Sequence, residues 1–146
     1  MNLFGVMTIS GTGLLAERER AEILASNLAN AETTRTPQGG PYQREHVVFA
    51  AQRPFGMPFG QQLATMVDFN ARGVQVAGVV GDSAPPIRRY EPGHPDADAE
   101  GYVYSPAINP IEEEVNLMGA ARSYQANVSA VLATKNMIAS ALEILA

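Results

Sequence analysis

Apolar residues recur at alternating steps of four and three along both ends of the chain. At the C-terminal end the series extends over four heptads. Such spacing places the residues in one stripe along a helix, and its persistence is typical of a coiled-coil seam. The predicted C-terminal stripe is Leu117, Ala121, Tyr124, Val128, Val131, Lys135, Ile138, Leu142 and Leu145.

Signals at residues 109–114 mark the start of this helix. Asn109 is a favourable N-cap, and Pro110 suits the first helical position because an N–H there would lack an intrahelical partner. Glu112 occupies the position at which a capping box places its carboxylate. Glu113 and Glu114 add negative charge to the helix end that carries partial positive charge. The sequence therefore predicts a helix that begins at residue 110.

The remaining faces of this helix carry few charges. From Val115 to Ala146 the only charged side chains are Arg122, Lys135 and Glu143. A surface helix normally has a charged face opposite its apolar stripe. We therefore expect a helix that is packed on several sides by neighbouring chains. The alternative is the central helix of a compact bundle, for which the rest of the chain has too few predicted helices.

The N-terminal segment repeats the pattern. Its glycines at positions 5, 11 and 13 each cost roughly 1 kcal/mol relative to alanine in a helix. The helix is therefore predicted from about Leu14 to Asn30, with a frayed or partner-ordered start before it. The predicted N-terminal stripe is Leu3, Met7, Ser10, Leu14, Glu17, Ala21, Leu24, Leu28 and Ala31.

The two stripes predict an antiparallel pair with a definite register. Glu17 and Lys135 are the charged members of the two stripes, and we expect them to face each other. This register places Leu28 opposite Tyr124, Leu24 opposite Val128, Ala21 opposite Val131, Leu14 opposite Ile138 and Met7 opposite Leu145.

Prolines divide the chain into three predicted parts. All ten lie between Pro37 and Pro110, and proline breaks the interior of a helix. We expect an N-terminal helix in residues 1–34, a β-rich middle region in residues 35–108 and a C-terminal helix in residues 109–146. The predicted fold class is α+β, with an antiparallel coiled-coil pair of terminal helices, a small β-rich middle region and an extended hairpin or loop.

Four segments of the middle region have the composition of strands. Residues 41–52 end in an apolar run, and residues 73–82 alternate valine with smaller or polar residues. Residues 85–92 and 101–106 are bounded by proline or glycine and predict short edge strands. Residues 53–62 contain two Pro/Gly turns and predict a loop.

Composition excludes several classes of protein. The net charge of -5 and the pI near 4.9 argue against a nucleic-acid binder, which normally has a basic patch. Cysteine is absent, so there is no disulfide framework and no cysteine metal site. The first ten residues lack the basic and apolar regions of a cleaved secretory signal, and no apolar run is long enough to span a membrane.

The acidic stretch from His94 to Gly101 resembles the opening of a calcium-binding EF-hand loop. The glutamate that closes such a loop would fall at Ala107, and a proline stands directly before it. We therefore interpret the stretch as a solvated acidic turn.

No other group of residues predicts an enzyme. Residues 11–13 lack the preceding strand and the lysine of a phosphate-binding loop. His46 and His94 are far apart in the sequence, and neither lies in a nucleophile motif. The three glutamates at 112–114 are explained by their place in the first helical turn. We expect no catalytic residue, no metal site and no cofactor.

Two segments carry motifs of a known family. Residues 26–33, SNLANAET, and residues 121–128, ARSYQANV, resemble motifs of the bacterial flagellar axial proteins of the rod and hook. Segments of the middle region narrow the resemblance to the proximal rod: PYQR at 41–44, VVF at 47–49, GVQV at 73–76, YEPGHPDAD at 90–98 and GYV at 101–103. The chain departs from the family pattern at residues 107–109 and at Glu114, and each departure could alter one contact with a neighbour.

The resemblance implies a structural subunit of the basal-body rod, the drive shaft that transmits torque. It also implies export through the flagellar type III apparatus without a cleaved signal, and a helical assembly in the periplasm with copies of itself and other rod proteins. The uncharged flanks of the two helices would then contact neighbouring subunits. The residues expected at this interface are Asn27, Ala29, Asn30, Thr33, Met118, Gln125, Ala126, Asn127 and Leu132.

Three other interpretations remain at this point. The nearest is a different rod or hook subunit of the same axial class. A second is a peptidoglycan-cleaving enzyme, since a rod must cross the cell wall. A third is a coiled-coil adaptor that stays in the cytoplasm.

Overall fold

The computed structural model describes residues 3–52 and 73–145. Two long terminal helices pack together, and small antiparallel β-hairpins form the middle of the chain, which confirms the predicted α+β class. The elements are α1 (Leu3–Ala29), β1 (Glu45–Ala51), β2 (Val74–Gly81), β3 (Ile87–Tyr90), β4 (Tyr102–Ser105) and α2 (Pro110–Leu145). Each of the four predicted strands is present. The loop predicted for residues 53–62 lies outside the described residues.

The described residues divide into two compact units, and each helix contributes to both. The first unit contains residues 3–19, 49–52, 73–77 and 120–145, and the second contains residues 20–48 and 78–119.

Among the described residues of the first unit, the buried positions are small or polar. Ser10 and Ala16 are buried on α1, and Ala120 and Thr134 are buried on α2. Gly13 is also buried and lies beneath the carboxamide of Asn127, where a Cβ would come within 3.1 Å of Nδ2. Glycine and alanine lack bulk, so they let two helix backbones approach closely.

The β1–β2 hairpin is attached to α1 within this unit through Thr12. The Thr12 hydroxyl donates to the Ile9 carbonyl at 2.8 Å and accepts the Val74 backbone N–H at 3.1 Å. Gly73 lies directly against this side chain, because a Cβ at Gly73 would be 2.8 Å from Thr12 Cγ2. The backbone N–H of Gln52 donates to the Gly73 carbonyl at 2.9 Å. A side chain at position 73 would therefore disturb the attachment.

The second unit contains the β3–β4 hairpin. Ile87 pairs with Ser105 and Tyr90 with Tyr102 in an antiparallel register. Val103 points to the interior and is almost fully buried. The other face of the hairpin carries the Arg88 guanidinium 3.5 Å from the centroid of the Tyr102 ring.

Helix α2 begins in this unit as the sequence predicts. Pro110 is its first residue, and Asn109 Oδ1 accepts the backbone N–H of Ile111 at 3.1 Å. The N-cap prediction is confirmed. Helix α1 begins earlier than expected, at Leu3 rather than Leu14, so the glycines of its first turns do not interrupt it.

The predicted register of the helix pair is wrong. In the second unit Asn27 faces Glu113, whereas the predicted register puts Gln125 there. In the first unit Gly13 faces Asn127, whereas the predicted partner is Ala139. Both contacts depart from the prediction by twelve residues along α2. The prediction paired the largest apolar side chains, but the contacts observed are made by a glycine, amides and a carboxylate.

Several residues of the predicted stripes are exposed to solvent rather than packed between the helices. Tyr124 is 41% exposed and Leu142 is 62% exposed, and Ala121 and Lys135 also face solvent. Lys135 therefore does not occupy a buried seam opposite Glu17. Leu24 is buried. The half-buried members of the predicted stripes include Met7, Leu14, Glu17, Ala21, Leu28, Leu117, Val128, Val131 and Ile138. The side chain of Leu145 lies outside the described residues.

The most covered positions of α2 follow a different heptad. They recur every seven residues, and three of the four are almost completely buried. We call them the inner stripe: Glu113, Ala120, Asn127 and Thr134. This stripe is rotated relative to the predicted one, since it includes Ala120 and Asn127 rather than Ala121 and Tyr124.

Candidate functional site

A buried polar cluster in the second unit joins α1, the start of β1 and the first turn of α2. We call Asn27, Tyr42, Arg44, Glu45 and Glu113 the polar cluster. The side chain of Asn27 is 0% exposed, and its Nδ2 donates to the Glu45 carbonyl at 2.8 Å and to Glu113 Oε2 at 3.1 Å. Its Oδ1 accepts the Glu45 N–H at 2.9 Å and the Tyr42 hydroxyl at 3.1 Å. Asn27 thus uses both amide hydrogens and both oxygen lone pairs.

Glu113 carries the buried charge of the polar cluster. Its side chain is 0% exposed, and Oε1 forms an ion pair with the guanidinium of Arg44, which is itself mostly buried. A buried carboxylate is tolerated only when it is paired and hydrogen-bonded. Removal of one partner from such a pair typically costs about 3–5 kcal/mol, because the other charge is left uncompensated. Glu113 and Arg44 therefore depend on each other.

The segment SNLANAET combines the end of α1 with this cluster. Asn30 Nδ2 donates to the Ser26 carbonyl at 2.9 Å, and Asn30 Oδ1 accepts the Thr33 hydroxyl at 3.2 Å. The backbone N–H of Thr33 also donates to the Asn30 carbonyl at 3.0 Å. Asn27 and Asn30 therefore have different tasks: Asn27 joins three segments of the chain, whereas Asn30 closes the end of the helix.

The residues expected at the subunit interface differ in their exposure to solvent. Asn27 is enclosed by its own chain, so it offers nothing to a neighbouring subunit, and we leave it out of the interface proposed below. Asn30, Thr33 and Asn127 are half-buried. The exposed members are Ala29, Met118, Gln125, Ala126 and Leu132.

Large apolar side chains face outward on both helices. In the first unit they include Phe4, Leu15 and Leu132, the last 53% exposed. In the second unit Ile111 is 72% exposed, and Val115 is exposed one turn further along α2. The other exposed apolar side chains are Tyr124, Met137 and Leu142 in the first unit and Met118 in the second, and we use outer face as a collective name for all of these residues, taken unit by unit. Large exposed apolar patches mark interaction surfaces, whereas single exposed apolar residues are ordinary.

The acidic stretch at residues 94–101 forms a hydrogen-bonded turn. Asp98 Oδ1 accepts the backbone N–H groups of Glu100 at 2.9 Å and Tyr102 at 2.8 Å. Asp96 accepts the Thr34 hydroxyl at 2.8 Å. The carboxylates of Asp96 and Asp98 thus accept hydrogen bonds from other groups of the same chain. Within residues 3–52 and 73–145, no group of three or more histidine or acidic side chains is arranged to hold a metal ion.

The carboxyl group of Asp82 has a clearly shifted pKa. The backbone N–H of Ala84 donates to Asp82 at 3.1 Å, and this hydrogen bond, together with the one from His46, lowers the pKa of the Asp82 carboxyl below its ordinary value of 3.8. The pair is at the surface, with His46 Nε2 3.4 Å from Asp82 Oδ2. It links β1 to the segment that follows β2 rather than forming a reactive site.

Sequence reasoning missed the polar cluster. It assigned Glu113 to the favourable electrostatics of a helix N-terminus and treated Arg44 as part of a strand. Glu112 and Glu114 are exposed, whereas Glu113 is buried, and composition does not distinguish three adjacent glutamates. A usable signal was the alternation of Tyr42 and Arg44, which directs two polar side chains to the same side of an extended segment.

The described part of the chain contains no helix with both the length and the apolar character needed to cross a membrane. Both helices exceed eighteen residues, so their polar composition rather than their length decides this.

These features define a class of protein, one built on paired terminal helices that expose large apolar side chains. Comparisons with known proteins agree with that class. A family model described as "Flagellar basal body rod FlgEFG protein C-terminal" matches residues 99–144. The chain is 38% identical over 150 residues to the flagellar basal-body rod protein FlgC of Borreliella burgdorferi, with 99% of each chain covered.

Two further relatives have the same name. The FlgC protein of Escherichia coli O6:H1 is 40% identical, with 97% of each chain covered. The FlgC protein of Bacillus subtilis is 38% identical, with 99% of each chain covered. The chain belongs to the FlgC family of flagellar basal-body rod proteins. It is therefore a structural protein of the rod and not an enzyme, as the resemblance implied.

Proposed function

We propose that the outer face is the surface through which this subunit joins copies of itself and other rod proteins in the proximal rod. The observation that supports the proposal is the outward position of Leu15, Leu132 and Leu142 on the helices of the first unit, and of Ile111 and Val115 in the second. Burial of each such side chain against a neighbour contributes roughly 1.5–3 kcal/mol, so a few of them can hold a subunit in place.

The contacts would be heterologous. Different surface patches of successive subunits meet in such a contact, and a rotation that does not close on itself generates a helical array. Rod proteins need this type of contact because a shaft grows along its axis. Exposed Gln125 and Ala126 lie beside the apolar residues, and an amide can bind backbone groups of a neighbour once water is excluded.

Torque transmission follows from the same packing. A close-packed protein interior has few voids and deforms little under load. Neighbouring subunits whose helices are covered on several sides would form one continuous interior. The subunit then acts as a rigid part of a drive shaft, and it needs no reactive group.

The route to the rod is also part of the proposal. We infer export through the flagellar type III apparatus and residence in the periplasmic part of the basal body, because the chain belongs to a rod-protein family. Secretion of the subunit into the medium by cells that lack the later rod parts would support export. Retention of the subunit in the cytoplasm of such cells would contradict it.

Two substitutions test the assembly surface. Leu132→Asp and Ala126→Glu each place a charge on an exposed position of α2, so we expect loss of rod assembly and of motility while the β-hairpins stay folded. The matched controls are Leu132→Met, which keeps an apolar side chain, and Ala99→Glu, which adds the same charge in an exposed turn. Normal motility in both charged variants would refute the proposed surface.

Amide exchange provides a second measurement. Residues 115–143 of α2 should exchange more slowly in the assembled rod than in the purified subunit, since neighbours would cover the outer face. Equal exchange in both states would mean that assembly leaves the helix uncovered.

A further inference from the structure

We infer that the polar cluster sets the register of the helix pair, and that this register is what keeps the outer face outward. Asn27, Arg44 and Glu113 would then be positioning residues for assembly rather than contact residues. The inference rests on the proposed function, because it assumes that neighbours use the outer face.

The sequence contains two competing registers. One is the apolar register, which places Leu28 opposite Tyr124 and Glu17 opposite Lys135. The other is the observed register, in which Asn27 faces Glu113. The apolar register would take Tyr124 and Leu142 into the seam, although both are exposed in the structure. Apolar burial alone therefore does not explain the register that the chain adopts.

The contacts of the polar cluster favour the observed register over the apolar register. A slide of α2 by twelve residues moves Glu113 about 18 Å along α1, at a rise of about 1.5 Å per residue. Glu113 would lose Asn27, and Arg44 would lose the carboxylate that compensates its charge. Asn27 would lose one of its four hydrogen bonds in a fully buried position. A single buried polar residue is known to fix register in coiled coils, and here three act together.

A contact in the first unit favours the same register independently. The Asn127 carboxamide lies over Gly13, where even a Cβ would be 3.1–3.3 Å away. Asn127 is held there by a hydrogen bond from its Nδ2 to the Ser123 carbonyl at 3.0 Å. In the apolar register Gly13 would face Ala139, and Asn127 would face Ala25. The methyl group of Ala25 leaves less room for the carboxamide than a glycine does, so this contact also favours the observed register.

The chain is well suited to a test by cross-linking because it contains no cysteine. Glu17→Cys with Lys135→Cys reports the apolar register. In the observed register the two positions are about 18 Å apart along the helices, whereas a disulfide requires Cα atoms within about 7 Å. The pair of cysteines is placed in the full-length subunit, and intramolecular disulfide is measured under mild oxidation at low protein concentration.

The main variant replaces the three positioning residues together, with Asn27→Leu, Arg44→Met and Glu113→Leu. Replacement of the whole buried ion pair by apolar residues is often neutral or stabilising. Asn27→Leu also removes the partner of the Glu45 N–H and carbonyl, so the helical content of this variant is measured before cross-linking. Glu113→Gln is the milder variant, which removes the charge and keeps the shape. Glu114→Gln is its control, because Glu114 lies in the same helical turn but is exposed.

We expect little disulfide in the parent background and at least a fivefold increase in the triple variant, with a smaller increase in Glu113→Gln and none in Glu114→Gln. The triple variant should also fail to assemble although its helical content is retained. Parent-level disulfide in both the triple variant and Glu113→Gln would overturn the inference, and so would ready cross-linking of the parent. Should the triple variant not fold, the comparison of Glu113→Gln with Glu114→Gln decides.

The outcome is separable from that of the proposed function. Failure of the cross-linking experiment leaves the outer face as the assembly surface, since Leu132→Asp tests that surface without changing the register. Normal assembly of Leu132→Asp and Ala126→Glu would refute the outer face, but cross-linking would still show whether the polar cluster sets the register.

Discussion

The inner stripe of α2 consists of small and polar residues, whereas large apolar residues of the outer face are exposed to solvent. Ala120, Asn127 and Thr134 are covered on α2, whereas Leu132 and Leu142 on the same helix face solvent. In a protein that works alone, burial of the large apolar residues would supply most of the stability. The difference supports the proposal that neighbouring subunits cover the exposed apolar residues, whereas close approach and hydrogen bonds join the chain's own helix pair.

The largest effect on stability is expected from a comparison of two residues in one turn of α2, the buried Glu113 and the exposed Ile111. Glu113→Ala should lower the free energy of unfolding by about 3–5 kcal/mol, because it leaves the buried charge of Arg44 uncompensated. Ile111→Ala should change it by less than about 0.5 kcal/mol, because Ile111 is already exposed to water. Urea denaturation of the purified subunit measures both. A larger loss for Ile111→Ala would reverse the comparison.

The attachment of the β1–β2 hairpin offers a test away from the helix pair. Gly73→Ala should destabilise the subunit by about 1–3 kcal/mol, because its Cβ would overlap the Thr12 side chain. Gly78→Ala is the matched control, since none of the described residues places an atom within 4 Å of a Cβ there. Thermal denaturation measures both losses. Thr12→Ala should relieve part of the Gly73→Ala loss in the double variant, and no relief would mean that the overlap is not its cause.

Two glycines of α1 provide a smaller test. Gly11→Ala should stabilise the subunit by about 0.5–1 kcal/mol, because alanine favours a helix and, apart from the adjacent helix backbone and chain neighbours, no atom of the described residues lies within 4 Å of the added Cβ. Gly13→Ala brings the same gain in propensity, but its Cβ must displace the Asn127 carboxamide. We expect Gly13→Ala to be less stable than Gly11→Ala by about 1 kcal/mol or more. Urea denaturation of the two variants side by side measures the difference, and equal stability would show that the contact is loose.

The smallest effect concerns pH. The Asp82 carboxyl has a lowered pKa in the folded chain, so its ionised form contributes stability above pH 3.8, and that contribution is lost as the pH falls through the lowered pKa. Asp82→Asn should therefore be slightly less stable than the parent at neutral pH, and the difference should disappear in acid. Denaturation curves at a series of pH values measure this. A difference that grows in acid would contradict the sign of the shift.

The sequence was sufficient for the elements but not for their register. The N-cap at Asn109 and the four strands follow from local signals, because capping and turn residues act within a few positions of one another. The register depends on Arg44, which reaches Glu113 from a position 69 residues earlier in the chain. Arg44 lies outside both helices, so the periodic pattern within a helix cannot identify it as the partner of Glu113. The periodic apolar pattern correctly predicted the helices, but some of its residues, such as Tyr124 and Leu142, are exposed rather than packed between the helices.

The separation in sequence between the members of the polar cluster has a consequence for the order of folding. The β3–β4 hairpin pairs residues that are 12 to 18 positions apart in the chain, whereas Asn27 and Glu113 are 86 residues apart. Contacts between distant residues cost more chain entropy to form, because a longer loop must be closed. We therefore expect the two helices to close late in folding. A newly made chain that polymerises through its closed helix pair would then be unable to associate before that step.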